Sequence, residues 1–325
     1  MPIVMLAPMS GVTDLPFRRQ VRRFFDVPMV SEMLAGRELV ARRPDVVRRA
    51  RADMTLKPNI MQIAGTDPHW MAEGARIAES EGAEVVDINM GCPAKHVAKK
   101  QSGCALMRDP DLAIRIMRAV VAAVSVPVTL KLRLGWTRAG RNAPFLARAA
   151  ESEGVTRVTV HGRAREDFFK GHAEWPLIGE VVDSVSVAVT AMGDIVDRDS
   201  PRRARRACGA AGVMIGRAAL GRPWLLGDIR AGFDPARHWS APSLTEQAES
   251  LDRQLSDSLS LYGEGVGLRN MRKHIAAWID AAVDAGDLPP SARHQRKDVC
   301  RLTAPDALRA AIHALASGAP EPLAA

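Results

Sequence analysis

Short apolar runs closed by a small or polar residue recur through the first two-thirds of the chain, over residues 3–7, 29–32, 59–63, 85–89, 128–132, 157–161, 186–191 and 212–215. Segments with helical spacing separate them, among them 109–124 and 142–153. The first of these opens Asp109-Pro110-Asp111, with proline where a helix tolerates it best. Strand and helix alternating eight times predict an α/β fold, a parallel (β/α)8 TIM barrel. The near-continuous apolar character of the strands fits, because barrel strands are covered on both faces. Past a Pro/Ser-containing connector at 237–243 the strand pattern vanishes and helical spacing takes over, at 245–262, 267–285 and 304–317. The expected organisation is a barrel domain over 1–238 and a small C-terminal helical domain over 239–325.

The carboxyl ends of the eight runs carry polar residues: Ser10, Glu32, Gln62, Asn89 with Cys92, Lys131 with Arg133, His161 with Arg163, Asp194, and Gly216 with Arg217. In such a barrel those ends converge on one rim, where active sites sit. Cys92 lies in the turn Asn89-Met90-Gly91-Cys92-Pro93-Ala94-Lys95. Most free cysteines are merely small buried hydrophobes, but a thiol in a turn ending a barrel strand is placed over a bound substrate. Near the end of the barrel, Met192-Gly193-Asp194 and Gly216-Arg217 occupy the loops that commonly bind phosphate in this fold. Lys131 has three readings: a Schiff-base lysine, an ion-pair partner, or a cation beside an electron-rich flavin.

Composition narrows the classes. The chain has 325 residues, 47% of them hydrophobic, which is enough for a sizeable core. Four cysteines, Cys92, Cys104, Cys208 and Cys300, show no C-x-x-C pair and no zinc spacing. Neither a metal nor a disulfide framework is expected, and a reducing compartment fits. No apolar run is long enough to span a bilayer, and Met1-Pro2-Ile3-Val4 has no charged signal-peptide flank, so a soluble cytoplasmic monomer is expected. The net charge of +8 suits a polyanionic partner, although arginine-rich composition alone makes nucleic acid no better than an even choice.

The residues together resemble the tRNA-dihydrouridine synthases, most closely their bacterial B-type branch. The matching stretches are Ala7-Pro8-Met9-Ser10-Gly11-Val12-Thr13-Asp14, Gln62-Ile63-Ala64-Gly65, Asp87-Ile88-Asn89-Met90-Gly91-Cys92-Pro93-Ala94-Lys95, Lys131-Leu132-Arg133-Leu134-Gly135-Trp136, Val160-His161-Gly162-Arg163 and Met214-Ile215-Gly216-Arg217. Arg272-Lys273-His274 in the tail resembles a basic helix of the family's RNA-binding domain. The resemblance implies an FMN-binding barrel that uses NADPH to reduce the C5=C6 bond of uridine in the D-arm of tRNA. It places Pro8, Met9, Ser10, Gln62, Lys131, His161, Met192, Gly193, Asp194, Gly216 and Arg217 at the cofactor. Cys92 is then the catalytic acid, with Asn89 beside flavin and uracil. An ordinary thiol, with a pKa of about 8.5, is mostly protonated at neutral pH and suits that role. Basic residues expected to hold RNA are Lys95, Lys99, Lys100, Arg133, Arg163 and Arg165 on the rim, and Arg269, Arg272 and Lys273 on one helix face.

Two departures from the family pattern stand out. Met192 replaces the usual asparagine before Gly193-Asp194, and Cys104 stands where serine or alanine is usual. Other readings are a flavin dehydrogenase for free pyrimidines, an RNA-binding or chaperone protein with a vestigial flavin, and a Schiff-base aldolase using Lys131.

Overall fold

The computed structural model describes residues 1–94, 97, 101–234, 236 and 238–318. Lys95, Lys99 and Lys100, three of the expected RNA contacts, lie outside the described residues, as does the chain beyond Gly318. The chain forms two compact units, one of Met1–Thr13 with Val27–Gly216, the other of Asp14–Asp26 with Arg217–Ala325.

The first unit is a closed parallel barrel. Its strands are β1 (Ile3–Leu6), β2 (Met29–Val30), β3 (Leu34–Ala35), β4 (Asn59–Ala64), β5 (Val85–Met90), β6 (Val128–Arg133), β7 (Arg157–His161), β8 (Ala188–Met192) and β9 (Gly212–Ile215). They run in the order β2-β1-β9-β8-β7-β6-β5-β4-β3, and a β2–β4 pairing closes the ring. Both β2 and β3 pair with β4, at Asn59–Ile60 and at Ile63–Ala64 respectively, so together they make one interrupted stave and the barrel has eight. The seventh expected run, 186–191, forms a strand that starts two residues later and reaches Met192.

Alternation within each strand sorts its residues between two environments. Val86, Ile88 and Met90 of β5, Leu130 and Leu132 of β6, and Val158 and Val160 of β7 join one apolar layer with Ala113, Ile116 and Met117 of the helix Pro110–Val121. The intervening positions carry Asp87 and Asn89, then Thr129, Lys131 and Arg133, then Thr159 and His161. A separate apolar cluster of Met5, Ala7, Val30, Ile60 and Met214, edged by Met9 and Met192, belongs to β1, β2, β4, β8 and β9. Apolar side chains therefore line one part of the barrel interior and hydrogen-bonding ones another.

The second unit is helical: Leu15–Phe24, Leu225–Gly232, Leu244–Tyr262, Glu264–Ala285, Ala292–Val299 and Pro305–Ser317. Its core gathers Trp224, Leu251, Leu255, Met271, Ile275, Trp278 and Ile312. Leu15–Phe24 follows the first barrel strand in sequence but packs in this unit. Phe17 lies 5.0 Å from the ring of His274, Phe24 meets Trp224 edge-on, and Ser250 donates to Gln20 at 3.0 Å. The packing boundary thus differs from the composition break at 238/239. Helix Ala292–Val299 escaped the apolar pattern because only Ala292 and Val299 of its basic sequence are buried. No helix among the described residues is long and apolar enough to cross a membrane.

Candidate active site

The turn after β5 is built from its own side chains. Asn89, 6% exposed, turns its Oδ1 back to accept the N–H of Gly91 at 3.2 Å and of Cys92 at 3.1 Å. Cys92 is half-buried. From below, the N–H of Cys104 donates to the Cys92 carbonyl at 3.2 Å. Gly103, at φ +62°, makes that approach possible: a Cβ there would lie 2.9 Å from the Cys92 oxygen. Cys104 itself is fully buried, and burial pushes its thiol up to about 12, leaving Cys92 as the thiol available for proton transfer.

Beside this turn, Asn89 aligns with Lys131 across the β5–β6 ladder. Lys131 is 6% exposed, and among the described residues its ammonium has no hydrogen bond or ion pair. Burial, then repulsion from Arg133, lowers its pKa to about 8, with Asp87 pulling the other way. The structural ion-pair reading of this lysine therefore fails. The Schiff-base reading and the cation beside a flavin both remain for a lysine buried at this place.

Gln62 is completely buried and bonds Asp87 and Asn89, through Nε2 and Oε1, both at 2.7 Å. Burial raises the Asp87 carboxyl to about 6 against the hydrogen bonds of Thr129 and Gln62 and the charge of Lys131. Sequence reasoning assigned Asp87 nothing; its signal was a carboxylate at an inward position of an otherwise apolar strand.

Two arginines expected to grip RNA are committed to the fold instead. Arg133, 1% exposed, donates from Nε to the Gly91 carbonyl and from Nη1 to the carbonyls of Ala164 and Phe168, at 3.0, 3.0 and 2.7 Å. It ties the cysteine turn to the loop after β7. Arg163, 3% exposed, donates from Nη2 to both carboxylate oxygens of Asp194 at 2.8 Å and holds the carbonyls of Lys170 and Gly171. Its Nη1 lies 3.2 Å from His161 Nε2; a guanidinium only donates, so that nitrogen accepts and the neutral ring carries its proton on Nδ1. Arg165 is half-buried, its guanidinium 4.5 Å from the centroid of the Trp136 ring, which Arg108 also approaches at 4.4 Å.

Asp194, expected at the cofactor, is spent on Arg163 and on the N–H of Ala173. Its role is to fix the turn it shares with Gly193, where φ is +54° and +113°. A Cβ on Gly193 would fall 2.7 Å from Ala173 Cβ and 3.0 Å from the His161 ring, and one on Gly216 would fall 3.0 Å from Met192 Cε. Glycine at both places is thus demanded by close packing against neighbouring side chains at the ends of β8 and β9. Pro8 and Met9 are half-buried after β1, and Ser10 is exposed. Arg217 begins the second unit and is exposed there. In the helix Glu264–Ala285, Arg269 and Arg272 are exposed and Lys273 half-exposed, while Leu268, Met271, Ile275 and Ile279 are buried. His274, next in the basic motif, faces the core. Among the described residues no cluster of three His, Cys, Asp or Glu side chains is arranged for a metal ion.

The family model of dihydrouridine synthase matches residues 5–299. A Rhodobacter capsulatus protein named "Probable tRNA-dihydrouridine synthase" is 48% identical over 282 residues, covering 86% of this chain and 87% of that protein. One of the same name from Rhizobium leguminosarum is 44% identical, covering 85% of each. The tRNA-dihydrouridine synthase B of Pseudomonas aeruginosa is 41% identical over 312 residues, covering 95% of this chain and 91% of its own. A TIM barrel that holds a half-exposed thiol near a buried lysine is thus accompanied by matches that run through barrel and helical tail alike, and the chain belongs to the dihydrouridine synthase family.

Proposed function

We propose that this chain reduces a uridine in the D-loop of tRNA to 5,6-dihydrouridine in the cytoplasm, using FMN and NADPH. The observation that supports the reading most is Lys131, a buried ammonium left without a partner among the described residues beside Asn89 and the Cys92 turn. A lone buried cation is costly unless an anion or an electron-rich ring completes it. The loops at Gly193 and Gly216, after the last two strands of the barrel, would hold the phosphate, with Arg217 as its charged donor. Pro8, Met9, Ser10, Gln62, Lys131, His161 and Met192 would border the ring.

FMN held there, and reduced by NADPH, would supply the hydride for C6 of uracil. Reduction at C6 leaves negative charge on C5 and O4 of the base, and the Cys92 thiol would deliver the proton that C5 needs. Asn89 holds the cysteine turn and Arg133 anchors the Gly91 carbonyl, so the thiol is aimed before the base arrives. The base must leave its stack to reach such a site. Arg165 on the rim and Arg269, Arg272 and Lys273 on their helix, with Lys95, Lys99 and Lys100 after Cys92, would hold the phosphates.

The test is mass analysis of unmodified tRNA incubated with purified protein, FMN and NADPH. A gain of two hydrogens on a mapped D-loop uridine is the expected result. No gain on any uridine, with flavin bound and tRNA retained, would overturn the reading.

A further inference from the structure

A line of side-chain hydrogen bonds joins a buried carboxylate to the Cys92 turn, and every link has one direction. Asp87, 4% exposed, accepts from Thr129 Oγ1 at 2.6 Å and from Gln62 Nε2 at 2.7 Å. Gln62 Oε1 accepts from Asn89 Nδ2, and Asn89 Oδ1 accepts the backbone N–H groups of Gly91 and Cys92. An ionised carboxylate only accepts and a peptide N–H only donates, so the two ends fix both amides between them.

We propose that Asp87 is a positioning residue for the Cys92 thiol, its carboxylate setting the orientation of Gln62 and Asn89 and so holding the turn. The network stands on its own geometry; its bearing on uridine reduction rests on the function proposed above. A carboxamide at position 87 would offer Gln62 either an oxygen or a nitrogen. With Gln62 reversed, Asn89 must turn its nitrogen toward two N–H donors, and both bonds to the turn are lost. Burial makes the choice costly to get wrong, since no water substitutes for a misdirected amide.

Two variants of the full-length protein test this: Asp87→Asn, and Asp87→Asn combined with Gln62→Glu. In the pair, a carboxylate at 62 accepts from both neighbours, restoring the direction at Asn89 with the same net charge. Iodoacetamide labelling of Cys92, followed by peptide mass, needs neither tRNA nor added flavin, and fully buried Cys104 does not compete. Asp87→Asn should label at least about threefold faster than the wild type, and the pair should return to within about twofold of it. An unchanged rate in the single variant, or a pair as fast as the single, overturns the proposal. In the flavin-loaded enzyme, Asp87→Asn should slow uridine reduction about tenfold while NADPH bleaches the flavin within about twofold of the normal rate. Equal loss of both half-reactions would overturn the positioning role. Should the wild type itself make no dihydrouridine while the labelling pattern holds, the positioning stands and the proposed activity falls.

Discussion

Arg163 holds both carboxylate oxygens of Asp194 at 2.8 Å from a side chain that is only 2% exposed. Removing the guanidinium takes a donor from the carbonyls of Lys170 and Gly171 as well as the charge that faces the carboxylate. Arg163→Ala should cost roughly 3 kcal/mol, the scale seen when one partner of a buried pair is deleted. Thermal melts and flavin content after gel filtration should both fall. A stable variant altered only in its tRNA affinity would return Arg163 to the RNA-contacting role its place after β7 first suggested.

Cys92→Ala should leave flavin reduction by NADPH intact and lower uridine reduction by at least about a hundredfold, the usual contribution of a positioned proton donor. Single-turnover absorbance at the flavin band and tRNA mass separate the two steps. Normal uridine reduction would mean that another group delivers the proton to C5.

Gly103 serves Cys92 through its backbone. An alanine there must hold φ near +62° and place a methyl 2.9 Å from the Cys92 carbonyl. Gly103→Ala should therefore cost at least about 1–2 kcal/mol, the penalty for a side chain in that conformation. Uridine reduction should fall more than flavin reduction does; equal losses, read by the same two assays, would mean the turn is not what moved.

Lys131 makes stability and activity pull apart. Its pKa is lowered from 10.5 to about 8, so between those values the unfolded chain binds more protons than the folded one, and stability rises with pH across that window. At neutral pH the folded protein carries the full penalty, about 3 kcal/mol for a shift of that size. Lys131→Met should thus melt higher at pH 7 and lose that advantage toward pH 10, while uridine reduction collapses. A variant that melts lower at pH 7 would mean that the ammonium is held by more than the packing around it.

His274 acts in the same sense, but in acid. Burial, then the neighbouring Lys273, lowers its pKa from 6.5 to about 3. Between those values the unfolded state again binds the extra proton, so stability is lost as pH falls below 6.5. At pH 4 the loss amounts to about 3 kcal/mol. His274→Leu should flatten the decline in urea midpoint between pH 7 and 4, even though it gives up the contact with Phe17. An unchanged slope would assign the acid sensitivity to other groups.

Much of this was legible in the chain because barrel strands announce themselves twice, by their spacing and by the polar residues that end them. The places of Asn89, Cys92, Lys131 and His161 at the ends of strands could be read that way. The sequence did not reveal which arginines are cargo and which are scaffold. Arg133 and Arg163 sit beside glycines and polar residues, as RNA-binding arginines do, and only the carbonyls that surround them mark them as internal braces. Asp87 was hidden for the opposite reason: inside a hydrophobic run a single carboxylate looks like an interruption until Gln62 and Thr129 are brought to it. The helix Leu15–Phe24 follows the first strand, where a barrel repeat has its helix, but its partners Trp224, Ser250 and His274 lie two hundred residues or more away in sequence, where no periodicity reaches.

That last helix constrains how the chain can be made and divided. The second unit draws one wall of its core from residues synthesised first and the rest from those synthesised last. Leu15–Phe24 must wait, its Phe17 and Phe24 without their mates, while the whole barrel emerges. A fragment starting at Arg217 would leave Trp224, Ser250 and His274 facing solvent where Phe24, Gln20 and Phe17 belong. No single cut yields two complete halves, so transplanting the helical unit onto another enzyme would require carrying residues 14–26 with it, or supplying them as a peptide in trans.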